Sequence, residues 1–185
     1  MSKRTFIGIK VSLDNENKAV FSELKRELAD ERIRWVSHEN LHVTLHFLGE
    51  TSDEQLVKVI KLIDYETAEF VGFLMNLKGL SFFKKQSSPS AVFFNLNDTD
   101  ELEELAKSLK SGLSKLGFSV GRKFKPHLTI GRVKYLKDRD SFYNLMEDFE
   151  DTEPQLIKVE NIILFESILK PGGPVYKPIK VFHLK

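Results

Sequence analysis

Two short motifs carry side chains that could perform acid–base chemistry. Residues 42–45 read His-Val-Thr-Leu and residues 127–130 read His-Leu-Thr-Ile, so both follow the pattern histidine, apolar, threonine, apolar. In an extended strand alternate side chains share a face, and each motif would therefore present an imidazole beside a hydroxyl, with two apolar side chains behind them. One such motif is typical of an ordinary strand. Two copies in equivalent places of the chain favour a shared site.

Two imidazoles and two hydroxyls suit the hydrolysis of a strained cyclic phosphodiester. A base must take a proton from the attacking water, and an acid must give one to the departing ribose oxygen. Histidine can do either because its unperturbed pKa, about 6.5, lies near neutrality. Thr44 and Thr129 could donate hydrogen bonds to the non-bridging phosphate oxygens. This chemistry demands no metal, and because the motifs are chemically equivalent, the residues alone leave open which histidine is the proton donor.

The elements that must position these motifs are predicted to be strands and helices in alternation. A side chain at Asp14 or Asn15 could cap one helix, a capping box opens a second at Ser52, and leucine and phenylalanine stripes predict two more, from about Asp100 and near Phe142. Residues 84–89 are predicted to form a flexible basic loop. Extended patterns predict strands near residues 4–12, 33–36, 40–48, 69–78, 91–96, 127–133, 156–168 and 175–184.

Composition narrows the class of protein. A chain of 185 residues suits one domain or two small lobes sharing a core. The absence of cysteine excludes disulfides, thiolate nucleophiles and cysteine-ligated zinc. A formal net charge of +1 argues against binding nucleic acid through bulk electrostatics but allows a local basic cleft. Neither a signal peptide nor a membrane-spanning segment is predicted, so we expect a cytoplasmic protein with no membrane partner.

Long stretches around the motifs resemble a known family. They are residues 4–7, residues 35–50, residues 124–133, and a tail with Ser167, Gly173 and Tyr176. Together they resemble the two-histidine (2H) phosphoesterases, and within them the RNA 2′,3′-cyclic phosphodiesterases, which are also described as 2′–5′ RNA ligases. The resemblance extends over nearly the whole chain.

The resemblance implies a fold and an activity. The expected fold is α+β, with residues 1–185 as a single domain of two pseudo-symmetric lobes. Each lobe would contribute an antiparallel sheet, outer helices and one motif to a central cleft. His42 would be the proton donor and His127 the proton acceptor, with no metal or cofactor. The substrate would be RNA ends or nucleotides bearing a 2′,3′-cyclic phosphate, opened to a 2′-phosphomonoester, and the same site could join such ends to 5′-hydroxyl ends through 2′–5′ bonds. We expect a monomer.

Further residues are candidates for substrate contacts. Arg132 and Arg4 could each clamp a phosphate with a forked guanidinium, the alternative being a surface ion pair. Phe124 could stack on a base. His46 stands where relatives commonly carry Lys or Arg; on an ideal strand it shares the face of His42, so it could contact substrate, or lie at the cleft rim without a role.

Other residues favour structural roles. His38, His42 and His46 recur every fourth residue, which on a helix would suggest a metal site, but the surrounding alternation indicates a strand and no zinc site is predicted. Trp35 is predicted to pack in the core and His183 to be structural.

Two other functions remain open at this stage. One is a 2H phosphodiesterase that acts on another small cyclic phosphate, an ADP-ribose derivative or a 2′–5′ linked nucleotide. The other is a non-catalytic module that binds RNA ends, which the intact histidines and threonines of both motifs disfavour.

Overall fold

The computed structural model describes residues 2–119, 121 and 124–185. Four α-helices lie within these ranges, at Asn15–Glu27 (α1), Asp53–Thr67 (α2), Asp100–Lys115 (α3) and Arg139–Asp148 (α4). The strands are Ser2–Lys10 (β1), Arg32–Trp35 (β2), His42–Ser52 (β3), Phe73–Lys85 (β4), Ser88–Asn97 (β5), His127–Tyr135 (β6), Gln155–Val159 (β7), Asn161–Lys170 (β8) and Gly173–His183 (β9). None of these helices combines the length and the apolar composition needed to cross a membrane.

The strands form two antiparallel sheets. The first sheet has the order β3-β1-β8-β9 and the second the order β2-β6-β5-β4-β7. The α+β prediction is therefore confirmed. One motif begins an edge strand of the first sheet, at His42, and the other begins an interior strand of the second sheet, at His127.

The two halves of the chain exchange strands. The short strand β2 from the first half joins the second sheet beside β6, and the C-terminal strands β8 and β9 complete the first sheet beside β1. Each motif is therefore supported by strands that are distant in sequence. The two similar motifs therefore lie in two different sheets. Each of these sheets combines strands from both halves of the chain.

Local signals set the helix starts. Asp14 caps α1 by accepting a hydrogen bond from the backbone N–H of Asn17 at 2.8 Å. Ser52 and Gln55 form the expected capping box of α2, each side chain bonding to the other's backbone N–H. At the end of α3, Gly117 adopts a φ of 86°, which is the left-handed conformation expected of a helix-terminating glycine.

The predictions for two segments were wrong. Residues 84–89 do not form a loop: β4 runs to Lys85, β5 starts at Ser88, and Gln86 and Ser87 form a two-residue turn with φ values of 48° and 65°. Positive φ at both central residues matches the right-handed twist of a β-hairpin. The strand predicted at 156–168 divides at Glu160, because β7 pairs with β4 in the second sheet whereas β8 pairs with β1 and β9 in the first.

Candidate active site

In both motifs, half-buried and buried side chains alternate as the sequence predicts. His42 and Thr44 are half-buried, while Val43 and Leu45, which alternate with them, are buried. The second motif repeats this pattern, with Leu128 and Ile130 fully buried. The apolar residues anchor each strand in the hydrophobic core, and the imidazole and hydroxyl are left on the opposite face.

Both imidazoles are oriented in the same way. His42 Nδ1 lies 2.6 Å from the carbonyl oxygen of Asn40, and His127 Nδ1 lies 2.7 Å from the carbonyl oxygen of Lys125. A carbonyl oxygen can only accept, so Nδ1 must carry a proton in each ring. The titrating atom is therefore Nε2 in both residues, which accepts a proton in the neutral ring and donates one in the charged ring.

Aromatic side chains hold each imidazole in place. The His42 ring lies 4.8 Å from the rings of both Phe6 and Tyr176. The His127 ring lies 4.8 Å from Phe83 and 5.3 Å from Phe93, both in edge-on geometry. These contacts come from different strands, and together with the Nδ1 hydrogen bonds they restrict rotation of the rings.

Burial lowers the pKa of both histidines below the ordinary value. For each ring desolvation is the largest cause, and the Nδ1 hydrogen bond opposes it. The positive charge of Arg132 lowers the pKa of both rings further, and the charge of His127 lowers the pKa of His42. The two imidazoles and the Arg132 guanidinium thus lie close enough to interact electrostatically.

A cavity of about 430 Å³ lies between the motifs. Its wall includes Thr44 from the first motif, His127 and Thr129 from the second, and the exposed Arg132. Within the described ranges neither the Thr44 nor the Thr129 hydroxyl bonds to a protein group, so both can donate to a ligand. His42 lines a second pocket of about 180 Å³, together with Phe165 and Tyr176.

A β-bulge in β3 changes which side chain follows the first motif on the cleft side. In the pairing of β1 with β3, Gly8 lies opposite Thr44 and Ile7 opposite His46, so Leu45 is the extra residue. His46 is consequently turned toward α3, where its Nε2 lies 2.6 Å from the carbonyl oxygen of Ala106 and the residue is only 7% exposed.

Phe47, rather than His46, continues the face of His42. Its side chain is 60% exposed and lines the larger cavity, and its ring packs against Phe6 at 6.0 Å. The shared face expected of His46 on an ideal strand is therefore not found, because an ideal alternation does not survive a bulge. An edge of His46 still reaches the cavity wall.

The other candidates occupy different places. Phe124 is half-buried and lines the cavity, and Arg4 is exposed on β1. Trp35 packs against the core, with its ring 5.7 Å from that of Phe21, as predicted. His38 begins a short 3₁₀ turn, His38–Asn40, that precedes β3, so His38, His42 and His46 do not share one helical face. Among the described residues no group of three or more His, Cys, Asp or Glu side chains could hold a metal ion.

Some site residues were missed from the sequence. Lys125 provides the carbonyl that orients His127, lines the cavity, and places its ammonium 5.0 Å from the centre of the Phe83 ring. Tyr176 stood out only as part of the resembling tail, although it packs against His42. Its position depends on the pairing of β8 with β9, which no local pattern reveals.

Comparison with known proteins places the chain in a family. Residues 7–94 and 96–176 match the model of the LigT-like phosphoesterases. The chain therefore belongs to this family, and the resemblance to the 2H phosphoesterases is confirmed. Two proteins named RNA 2′,3′-cyclic phosphodiesterase match along nearly their whole length. The Thermotoga maritima protein is 37% identical, covering 94% of this chain and 91% of that protein, and the Archaeoglobus fulgidus protein is 33% identical, covering 97% and 99%.

Solved structures share the fold. The crystal structure of TT0787 of Thermus thermophilus superposes with a TM-score of 0.77 at 27% identity, covering 98% of this chain and 97% of that chain. E. coli LigT complexed with 3′-AMP superposes with a TM-score of 0.74 at 22% identity, covering 100% and 99%. The α+β architecture with two antiparallel sheets is thus that of the LigT structures.

Proposed function

We propose that this protein hydrolyses 2′,3′-cyclic phosphate ends of RNA to 2′-phosphomonoesters, with His42 and His127 as its acid–base pair and without a metal. The observation that carries the proposal is the matched orientation of the two imidazoles, each with Nδ1 bound to a backbone carbonyl and Nε2 left to exchange protons. The names of the relatives from Thermotoga maritima and Archaeoglobus fulgidus support the substrate class.

The reaction needs two proton transfers around the phosphorus atom. Neutral His127 takes a proton from water through Nε2 as the water oxygen bonds to phosphorus. The bond between phosphorus and O3′ breaks, and protonated His42 gives the Nε2 proton to O3′. The product keeps its phosphate on O2′ and has a free 3′-hydroxyl. If a 5′-hydroxyl replaces water, the same steps form a 2′–5′ bond.

Three side chains stabilise the charge on phosphate. The hydroxyls of Thr44 and Thr129 donate hydrogen bonds to the non-bridging oxygens, which remain negative throughout the reaction. The Arg132 guanidinium, which acts electrostatically on both imidazoles, binds the same group. Two hydroxyls from two sheets would hold the phosphate between the histidines.

Hydrolysis should persist in excess chelator. Because the two imidazoles supply both proton transfers, an oligonucleotide with a 2′,3′-cyclic phosphate end should be opened at an unchanged rate in EDTA. Phosphorus NMR of the product should show a 2′-phosphomonoester. Loss of activity in EDTA that a divalent ion restores, or a 3′-phosphate product, would overturn the mechanism. Binding of the oligonucleotide without turnover would instead indicate an RNA-end-binding module.

The pH profile of kcat/KM should be bell-shaped, with its alkaline limb centred below the ordinary histidine pKa of about 6.5. The donor must be protonated, so the rate falls as pH rises through the donor's pKa, which burial lowers in the free protein. The acceptor must be neutral, so the rate falls as pH drops below the acceptor's pKa, which burial also lowers. The alkaline limb of kcat should lie at higher pH, because bound phosphate favours the imidazolium.

A charge change tests the origin of these limbs. Arg132→Gln should move both limbs of kcat/KM to higher pH, since the charge of Arg132 lowers the pKa of both rings. Arg32→Gln removes the same charge from β2 and should leave the limbs in place. An alkaline limb centred clearly above the ordinary histidine value, or limbs unmoved in Arg132→Gln, would contradict the expectation.

A further inference from the structure

Three arginines near the cleft form no ion pair with another described residue, although Glu50 of β3 lies opposite one of them, Arg4. Within residues 2–119, 121 and 124–185, no carboxylate lies within ion-pairing distance of Arg4, Arg34 or Arg132. The ion pairs of the described residues involve other basic side chains: Lys3, Arg26, Lys78, Lys158, Lys180 and Lys185. In a chain whose net charge is only +1, three unpaired guanidinium groups in one region are a local positive site.

Two of these arginines are direct neighbours in the second sheet. Arg34 of β2 lies opposite Arg132 of β6 in the antiparallel register. Directly opposed side chains share a face of the sheet, and like charges in that position destabilise the pair. Because Arg132 lines the larger cavity, Arg34 faces the same side. Such an arrangement is unfavourable in the free protein and becomes favourable when anionic groups bind beside the two charges.

The third arginine approaches from the first sheet. Thr5 lies opposite Glu166, the last pair between β1 and β8, and Arg4 precedes it on the side of Ser167, which pairs with Tyr176. Arg34 reaches this row from the other sheet. Its Nη2 lies 2.8 Å from the position that a Cβ on Gly173 would take, so the guanidinium rests against the backbone at the start of β9.

Tyr176 is the point where these arginines converge. Burial raises the pKa of its hydroxyl, whereas the positive charges of Arg132, Arg4 and Arg34 lower it. All three guanidinium groups therefore lie near the hydroxyl of a residue whose ring is 4.8 Å from that of His42. The positive site begins beside the imidazole pair and extends away from it.

We propose that Arg4 and Arg34 form a second phosphate site, which binds the phosphodiester that joins the terminal nucleotide to the rest of the RNA. The site rests on the proposed function, since Arg132 and the threonines hold the cyclic phosphate itself. A guanidinium from each sheet suits the two non-bridging oxygens of a phosphodiester. A cyclic mononucleotide lacks this group, so the site selects RNA ends over free cyclic nucleotides.

The test compares two substrates that end in the same nucleotide, a 2′,3′-cyclic mononucleotide and a short oligonucleotide with a 2′,3′-cyclic phosphate. Wild-type protein should prefer the oligonucleotide. Arg34→Gln should lower kcat/KM for the oligonucleotide on the order of tenfold and leave the mononucleotide nearly unchanged. Arg4→Gln, on the other sheet, should show the same selectivity. Arg32→Gln is the matched control, because it removes an equal charge from β2 without acting on Tyr176.

A change in the substrate tests the same interaction without relying on a protein variant, which could misfold. With wild-type protein, a neutral methylphosphonate at the linkage next to the terminal nucleotide should lower kcat/KM by about the same factor as the Arg34→Gln substitution does. With the Arg34→Gln variant, the same linkage should lower kcat/KM little further, since the interaction is already lost. The second site would be overturned if the losses in kcat/KM from the methylphosphonate and from Arg34→Gln were additive. It would also be overturned if Arg34→Gln lowered kcat/KM equally on the mononucleotide and the oligonucleotide, or on neither.

Failure of the proposed function gives a different result. If wild-type protein opens neither substrate, the proposed hydrolysis is wrong. The second phosphate site can then be tested by measuring the affinity for an oligonucleotide carrying a terminal 2′-phosphate. Arg34→Gln should still weaken this binding on the order of tenfold, more than Arg32→Gln. Equal binding by wild-type protein and Arg34→Gln, or no binding by either, would overturn the second site as well.

Discussion

Replacing His42 or His127 by alanine should lower kcat/KM for a 2′,3′-cyclic phosphate end by roughly 10²- to 10⁴-fold. In the proposed mechanism each Nε2 handles one of the two proton transfers. The imidazole of His46 also reaches the cavity wall, but its Nε2 is bound to the carbonyl oxygen of Ala106. Steady-state kinetics on the oligonucleotide measures the loss, and circular dichroism checks the fold. His183→Ala, which removes an exposed imidazole from β9, should retain the wild-type rate.

The double variant distinguishes a concerted pair from two independent groups. His42→Ala combined with His127→Ala should cost little beyond the worse single variant, because residues that act in one step are non-additive. A double variant whose loss equals the product of the two single losses would show that the imidazoles act separately. Full activity in either single variant would rule out the proposed mechanism altogether.

Residual activity in the single variants identifies the donor. If His42 is the donor, His42→Ala should lose the alkaline limb of the pH profile and His127→Ala should lose the acidic limb. The opposite pattern would reverse the assignment, which rests on the family resemblance rather than on any difference between the two rings. Coupling between the imidazoles means that the wild-type limbs belong to the pair, so the comparison must be made on the variants.

Thr44→Val and Thr129→Val should each lower kcat by roughly 10²-fold, the usual effect of removing one preorganised donor from a developing charge. Valine keeps the shape and strand propensity of threonine, so stability should change little. Thr51→Val is the matched control: its hydroxyl bonds to Thr5 at 2.8 Å in a buried position on the same strand as Thr44. That variant should lose stability but not kcat.

Kinetics and thermal unfolding together separate the roles of the threonines. A Thr44→Val or Thr129→Val protein with wild-type kcat would show that its hydroxyl is structural. A loss of stability equal to that of Thr51→Val, with kcat unchanged, would lead to the same conclusion. Because Thr44 and Thr129 come from different sheets, equal losses in both would indicate that the phosphate lies between them.

Information held within a few residues was readable from the sequence. The alternation in residues 42–45 and 127–130 determines which side chains are buried, since a strand has a period of two. The caps at Asp14 and Ser52 determine where α1 and α2 begin, because each cap bonds to a backbone N–H three residues away. The pair of histidines and its chemistry followed from these local patterns.

Only the tertiary structure decided which distant segments meet. The strand pairing brings Tyr176 to His42 and Arg34 to Arg132, and no periodicity in the chain specifies either contact. The bulge at Leu45 turns His46 to α3 and leaves Phe47 in the cleft, because one extra residue reverses the faces of the side chains that directly follow it. The sequence by itself therefore identified the candidate acid–base pair, and carbonyls two residues before each histidine orient the rings. Long-range pairing decided the aromatic contacts of the two rings and the arginines beside them.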